Sequence, residues 1–534
     1  MGKALLINPS WLSTYGKSDG GSAFPFYPVL ALASMAGAII ERGHDVEILD
    51  LADQPYDAAT IEERIRRFQP DIVGITASTP LVNQLRDISH IVREISPDIV
   101  TIGGGAHPTA LPLETMRQSA LDLVAVGEAD FTIAHLLDGQ APDRLPGLVH
   151  RCGEALVETA AAPLIEDLDD LPFPAWEVYP LPRVPQMSRV IARYQPVTTI
   201  EFSRGCLFRC DFCGSKNTMG LGYRKKSPER CAEELVRLGR LGYREVILTD
   251  DIFTSDTEWA AAVCEAIIAA DPGVAWTCSN GIRVDSARSD LFPLLREAGC
   301  YRVCFGFESG NDEVLRSFGK GGRASLEQGI EAVREARRAD LEPDGLFMVG
   351  LSADTPETMQ DTIEFAKRVP LDLIKCGICV PFPGTPYFDE LHAAGRIRTY
   401  DWDAYSVWNQ AEAIYEHPTL EWPVIIEAFN ELYSRAVMRN PRYLWRRLRF
   451  VVRHREVIEN IGFILQGWRT MRGVHRVGPS NRYAHEARWR GSELDSTSTI
   501  TPRKPPKAVT GGGAVGRDGK VLLTPRRRRV VSVT

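Results

Sequence analysis

The stretch EFSRGCLFRCDFCGSKN (residues 201–217) decides the fold. Its three cysteines, Cys206, Cys210 and Cys213, are spaced C-x3-C-x2-C. Three thiolates on one short loop can wrap a corner of an iron–sulfur cube. A 4Fe-4S cluster usually takes four Cys. Three leave one iron open for a substrate or cofactor, as catalytic metal sites keep an open position. The alternatives are a zinc site or three unrelated thiols. Zinc asks for a fourth ligand nearby, and no His or further Cys lies between Lys216 and Arg230. Cys376 and Cys379 fall three apart on a predicted strand, so their side chains point to opposite faces. Cys300 and Cys304 are four apart on extended chain, about 13 Å, too far for one metal.

Outward from the loop, residues 197–415 alternate strand and helix. Strands are predicted at 197–205, 244–251, 273–280, 302–310, 344–351 and within 371–384, with helices between them. Six βα units in about 200 residues suit an incomplete barrel, since eight typically take about 250, and the chemistry belongs at the carboxyl ends of the strands. The cysteine loop follows the first of them.

Residues 1–150 form a second alternating series. Strands are predicted at 4–8, 44–50, 71–77, 98–104 and 121–127, with helices over 28–42, 58–68, 81–95 and 129–137. Continuous apolar strands between amphipathic helices argue for a parallel sheet covered on both faces. The fold class is α/β: a doubly wound, Rossmann-like N-terminal domain with ligand near the switch point, then a partial (β/α)6 barrel. Residues 151–195 read as a Pro-rich linker. Residues 416–476 read as a helical region, with Trp422, Phe429, Leu432 and Tyr433 on its apolar face. From 477 to 534 apolar periodicity fails and a basic, mostly disordered tail is expected.

The chain has 534 residues, and 44% hydrophobic with 25% charged is ordinary for a globular protein. That excludes a fibre, a largely disordered chain and a small disulfide-stapled scaffold. The longest mostly apolar run, 29–40, falls short of the roughly 18 residues a membrane span needs. Eleven Cys, an odd number, without an export signal suit a reducing cytoplasm. Charge is uneven: from Arg435 onward there are 23 Lys and Arg against 6 Asp and Glu, while the rest carries 39 against 64. Arg442, Arg446, Arg447, Arg449, Arg453 and Arg455 crowd one predicted helix, interleaved with Tyr443, Trp445 and Phe450. Two readings stay open: a solvated helix packing on the acidic body, or peripheral contact with an anionic membrane surface.

The cysteine loop, with the aromatic Phe212 before its third Cys, resembles the radical S-adenosylmethionine superfamily over about 195–415. The segments TDDIFT (249–254), SNGIRVD (279–285), FGFESG (305–310) and PFPGTP (381–386), each past a strand, are similar as well. The resemblance implies a 4Fe-4S cluster on the three Cys and S-adenosyl-L-methionine on the open iron. It marks Phe212, Asp251, Arg283, Glu308 and Ser309 as cofactor contacts; rim ion pairs are the plainer reading of Asp251 and Arg283. The N-terminal domain resembles the cobalamin-binding domain attached to one branch of that superfamily. The matching pieces are INPS (7–10), RGHDVEILD (42–50), PDIVGITAST (70–79), TIGGGAHPTALP (101–112) and AVGEAD (125–130). They mark Ser10, Thr76, Ser78, Gly103, Gly104, Gly105, His107, Gly127 and Glu128 at the corrinoid, the glycines allowing close backbone approach of a bulky tail. Many such domains carry Asp-x-His-x-x-Gly after the first strand. Here the segment is NPSWLSTYGKSDGG, without His, so cobalt without a protein His ligand is expected. His107 is read either at the nucleotide tail or as a hydrogen-bonded loop His.

Cofactors carry the hard chemistry and the protein orients them. Together the two imply radical C-methylation, with the methyl group of methylcobalamin passing to an unactivated carbon of a small-molecule substrate. An oxidative cyclase or ring-rearranging enzyme of the same fold is the second reading. A corrinoid sensor is a remote one, since it has no use for an open iron. A low-potential electron donor such as flavodoxin or ferredoxin is expected as partner; nucleic acid is not. A tRNA methylthiotransferase is set aside, because that family carries a second Cys triplet near its N-terminus and here only Cys152 precedes the barrel. The catalytic acid or base is not identifiable.

Overall fold

The computed structural model describes residues 1–15, 28–179, 189–284, 288–320, 325–405, 411–454, 461 and 529–531. The N-terminal sheet orders its parallel strands Asp45–Asp50, Lys3–Asn8, Ile72–Thr76, Val100–Gly104, Leu123–Ala125. The order therefore reverses between the first and third strands in sequence, the switch point where doubly wound sheets bind ligands. Ala4, Leu5, Leu6 and Ile7 are fully buried, as a strand covered on both faces requires.

The linker reading needs correction at its start. Leu148–Cys152 and Ala155–Glu158 form an antiparallel hairpin that extends this sheet. Gly153, with φ +61°, makes its turn. The expected tail lies outside the described residues except Arg529–Val531, which pair antiparallel with Ala155–Glu158.

The second sheet has six parallel strands in sequential order: Val197–Ile200, Glu245–Leu248, Ala275–Ile282, Cys300–Glu308, Glu342–Val349 and Leu373–Ile378. This is the partial barrel. The first strand stops at Ile200, short of its expected end. Ser203–Arg204 instead pair antiparallel with Arg224–Lys225, closing the cysteine loop at its stem. Helices cover the strands as the periodicity requires: Pro228–Arg240 starts on Ser227, whose hydroxyl accepts from Arg230 N–H, and Leu326–Arg338 on a capping box between Ser325 and Gln328. One continuous apolar core runs through both domains.

The C-terminal region is helical over Trp422–Leu432, widens into a π-helical stretch at Tyr433–Met438 and continues as Pro441–His454. Trp422 and Leu432 are buried, and Phe429 and Tyr433 pack against the core. No helix among the described residues is long and apolar enough to cross a membrane.

Candidate active site

The cysteine loop is held at both ends by two adjacent carboxylates past the second barrel strand. Asp250 accepts from Phe202 N–H at 2.7 Å and from the Ser203 hydroxyl. Asp251 accepts from the Ser215 hydroxyl at 2.5 Å and from Gly205 N–H. Gly205 has φ +86°, and a Cβ there would stand 2.7 Å from Gly222 O, so only glycine fits where the stem closes. In the middle, Asp211 O takes Tyr387 N–H at 3.1 Å. Burial pushes all three thiols up, Cys210 to about 12, with the Lys320 ammonium opposing. A cluster iron that takes the thiolates offsets that cost.

The residues expected around the cofactor divide. Asp251 braces the loop. Arg283 lies over the Phe208 ring, 3.5 Å from its centroid, and donates to Lys320 O at 3.1 Å. Glu308 ends the fourth barrel strand with φ +59°, a conformation that non-glycine residues rarely hold outside functional sites. Its carboxylate accepts from Lys320 Nζ at 2.5 Å, which also reaches Gly306 O at 2.6 Å. A Cβ on Gly306 would crowd that pair at 2.9 Å, which accounts for the glycine in FGFESG. Phe212 meets the Phe318 ring edge-on at 5.3 Å. Ser309 is not part of this group. It is fully buried, its hydroxyl 3.2 Å from Thr362 Oγ1 and accepting from Asn311 N–H, so it shapes the turn after the strand.

In the N-terminal domain the expected residues also separate. Gly103 faces the core: a Cβ there would meet Leu121 at 2.6 Å, so packing and not ligand approach demands the glycine. Gly105, with φ +103°, would place a Cβ 2.7 Å from Ala77 O and 3.1 Å from Thr76 Oγ1. Gly127 has open space in front of it, and a Cβ on Gly104 would meet Ala125 at an unstrained 4.0 Å. Ser10 is engaged locally, its hydroxyl donating to Gln54 O and accepting from Ser13 N–H. Glu128 faces the barrel. Its carboxylate takes both Arg224 nitrogens, at 2.6 and 2.9 Å, and Ile165 N–H. Asp130 does the same for Arg204 at 2.9 Å twice. AVGEAD is thus a clamp on the stem of the cysteine loop. The sequence pattern carried no sign that Arg204 and Arg224 are its partners.

His107 is fully buried. Burial holds its pKa below the ordinary value, and its Nε2 lies 3.4 Å from a Glu114 carboxylate oxygen. Trp402 meets the His107 ring edge-on at 4.8 Å and donates to Glu114 at 2.9 Å, and Arg86 pairs with the same carboxylate. This fits the hydrogen-bonded reading on the Nε2 side. His107 Nδ1 and Ser78 Oγ are buried without a hydrogen-bond partner among the described residues. Buried polar atoms are rarely left so. Ser78 follows the third strand and His107 lies in the short helix Ala106–Ala110 after the neighbouring fourth, both past the strands' carboxyl ends, and this fits a large polar ligand such as cobalamin. The three-thiol donor set likewise fits a cluster better than zinc: among the described residues no group of three or more His, Cys, Asp and Glu could hold a single ion.

The two loop sets meet. Helix Ala106–Ala110, after the three glycines, packs on Ser215–Thr218, which ends the cysteine loop. A Cβ on Gly384 of PFPGTP would lie 3.0 Å from Ala110 and 2.6 Å from Asn217.

Comparison with known proteins agrees with this geometry. A model of the radical SAM superfamily matches residues 200–366, and a model of the B12 binding domain matches 17–137. An uncharacterised methyltransferase of Pyrococcus horikoshii is 30% identical over 481 residues, 89% of this chain and 98% of its own. The chain belongs to the B12-binding branch of the radical SAM superfamily. An anaerobic magnesium-protoporphyrin IX monomethyl ester cyclase of Cereibacter sphaeroides is 26% identical over 80% of this chain and 70% of its own. Among solved structures, the radical S-adenosylmethionine methyltransferase TsrM of Kitasatospora setae, with tryptophan and a SAM analogue bound, superimposes with TM-score 0.63. It is 19% identical, covering 81% of this chain and 89% of TsrM, so the likeness is one of fold. This radical SAM enzyme accordingly uses a 4Fe-4S cluster, S-adenosylmethionine and cobalamin.

Proposed function

We propose that this radical SAM enzyme is a cobalamin-dependent C-methyltransferase acting on an unactivated carbon of a small molecule. The observation that carries the reading is the packing of Ala106–Ala110 against Ser215–Thr218, which turns the corrinoid loops and the cysteine loop toward one shared space. When bound, the cluster with S-adenosylmethionine supplies hydrogen-atom abstraction and cobalamin supplies a transferable methyl group.

The chain's own residues hold and orient these groups. Cys206, Cys210 and Cys213 would hold three irons of the cluster and leave the fourth for S-adenosylmethionine. Asp250 and Asp251 keep the loop's ends in register with the barrel rim. Glu308, set by its left-handed backbone and paired with Lys320, would take the amino end of S-adenosylmethionine; Arg283 sits beneath the loop and offsets thiolate charge. Ser78 and His107 hold the corrinoid tail. A low-potential flavodoxin or ferredoxin supplies electrons.

The methyltransferase relative over 89% of the chain supports methylation; the cyclase relative keeps ring formation as the second reading. The test is anaerobic. Protein reconstituted with iron, sulfide and hydroxocobalamin receives S-adenosylmethionine and a low-potential reductant, and mass spectrometry follows 5′-deoxyadenosine and S-adenosylhomocysteine. Both products, with deoxyadenosine lost in Cys210→Ala, are expected. Deoxyadenosine without S-adenosylhomocysteine, in the presence of an accepted substrate, would move the assignment to cyclisation.

A further inference from the structure

The helix Pro441–His454 has five arginines and no acidic residue. It packs on the floor of the barrel, at the amino ends of the strands and so opposite the cysteine loop. Tyr443 and Phe450, two of the aromatics that first suggested a membrane surface, are buried. Tyr443 donates to Asp372 O at 3.3 Å, and Arg446 to Leu371 O at 3.3 Å. What the helix turns outward is a different set. Leu444, Leu448 and Val452 are 46, 53 and 66% exposed, and Trp445 is 55% exposed. The three aliphatics recur every four residues, so they line one face, with Trp445 at its edge. Nine large apolar side chains are exposed among the described residues, and four of them stand on this single helix. Scattered exposed apolar residues need no explanation, but a contiguous stripe marks an interaction surface.

The surroundings of the stripe are cationic. Arg442, Arg449 and Arg453 flank it and are exposed, and Arg449 rests 5.0 Å from the Trp445 ring. Between the helix and the strand starts lies a cavity of about 660 Å³ whose lining includes Arg193, Arg296, Arg337, Arg446, Arg449 and Arg453. Carboxylates balance part of this: Glu342 pairs with Arg193 at 2.6 Å, Asp372 with Arg337 at 2.6 Å and Asp340 with Arg453 at 2.7 Å. Arg446 Nη2 is buried there without a hydrogen-bond partner among the described residues. The rest of the chain up to residue 434 carries 39 basic against 64 acidic residues. An anionic surface therefore repels the body and attracts only this end.

We propose that this face docks on an anionic lipid bilayer. Leu444, Trp445, Leu448 and Val452 enter the headgroup–acyl boundary while the flanking arginines and the rim of the cavity meet lipid phosphates. An exposed apolar stripe, an interfacial Trp and a one-sided arginine flank are the composition of a helix lying in a membrane surface. The active site then faces away from the membrane, at the far end of the barrel.

The test is vesicle flotation of the full-length, reconstituted protein, with vesicles of phosphatidylcholine alone or mixed with phosphatidylglycerol. The wild type should float with the phosphatidylglycerol vesicles, and high salt should release it. Leu448→Glu and Arg449→Glu should each weaken partitioning about tenfold. Both side chains are exposed, so circular dichroism and deoxyadenosine formation without lipid should match wild type. Lipid-attached quenchers should quench a share of the tryptophan emission that disappears in Trp445→Phe. No flotation by wild type would overturn the proposal. So would flotation indifferent to Leu448→Glu, or competed away by inorganic phosphate, which would leave the cavity as a soluble-phosphate site. A lipid-free dimer dissolved by Leu448→Glu, or flotation gained only on truncation after Arg476, would give the stripe to a second copy or to the chain's own tail.

Discussion

Arg204 holds Asp130 through two 2.9 Å hydrogen bonds, joining the residue two places before Cys206 to the domain that binds the corrinoid. Burial alone would push Asp130 up, but the Arg204 guanidinium holds it below the ordinary carboxylate range. The pair fixes the cysteine loop relative to the other cofactor. Stranding a buried charge with no other partner costs about 3–5 kcal/mol; Arg204 keeps Glu201 at 2.6 Å, so losing Asp130 should cost less than that. Asp130→Asn should therefore lower the melting temperature and reduce cluster retention. Glu47→Gln, which removes the half-exposed pair with Arg64, should cost about 1 kcal/mol or less. Equal melting temperatures for the two variants would contradict the clamp.

Asp251 braces the loop through Ser215 and Gly205. Asp251→Ala should leave a protein that still takes up iron but loses it faster to a chelator, because Gly205 and Ser215 are no longer tied together. Cys210→Ala should fail to assemble the cluster at all. Iron content and electron paramagnetic resonance of the reduced protein separate the two; identical loss in both variants would make Asp251 a ligand or a folding residue.

The glycines of the N-terminal loops should respond unequally. Gly127→Ala meets only the strain of its φ of +82° and should cost about 1–2 kcal/mol. Gly105→Ala adds a Cβ 2.7 Å from Ala77 O, which backbone cannot yield easily, and should cost more. It should also weaken cobalamin binding, read from the visible spectrum on titration, because Ala77 and Ser78 would shift together.

Glu114 predicts a pH dependence. Burial would raise its pKa, but Arg86, His107 and Trp402 hold it at about 2, against 4.5 for a free glutamate. Its contribution is present in full above about 4.5 and is lost as pH falls from there toward 2. At neutral pH a shift of this size corresponds to about 3 kcal/mol. Glu114→Gln should be less stable at pH 7 and should flatten the acid limb of a melting-temperature profile between pH 5 and 3, in roughly that range. An unchanged acid limb would mean that other carboxylates govern it.

Much of the architecture was legible because its signals are local. The helix over 58–68 is where its amphipathic spacing places it, and all six barrel strands fall on the apolar runs that marked them. The hairpin 148–158 was not legible, because its second strand, ALVE, is short and sits in polar sequence. It joins the sheet through Leu148–Cys152, which pairs antiparallel with the preceding strand Leu123–Ala125, a pairing that no local sequence signal announces. In the site, the motif glycines and Glu128 were singled out as corrinoid contacts, whereas the structure shows a different constraint on several of them. Gly103 serves the core, Glu128 the clamp, and Ser309 a turn. A motif records that a position is constrained and does not say by what.

The family resemblance implied the open-iron cluster and the corrinoid site; what the sequence by itself determined is that three thiols share one loop. Spacing along a chain is enough for this, because a loop of eight residues brings its cysteines together whatever the rest of the fold does. Only the tertiary structure decided the partners that come from far away. Lys320 beside Glu308, Arg204 on Asp130, Trp402 over His107, and the outward turn of Leu448 rather than Tyr443 each depend on how separate elements pack. Helical periodicity offers several candidate faces, and only the neighbouring strands choose which one is buried.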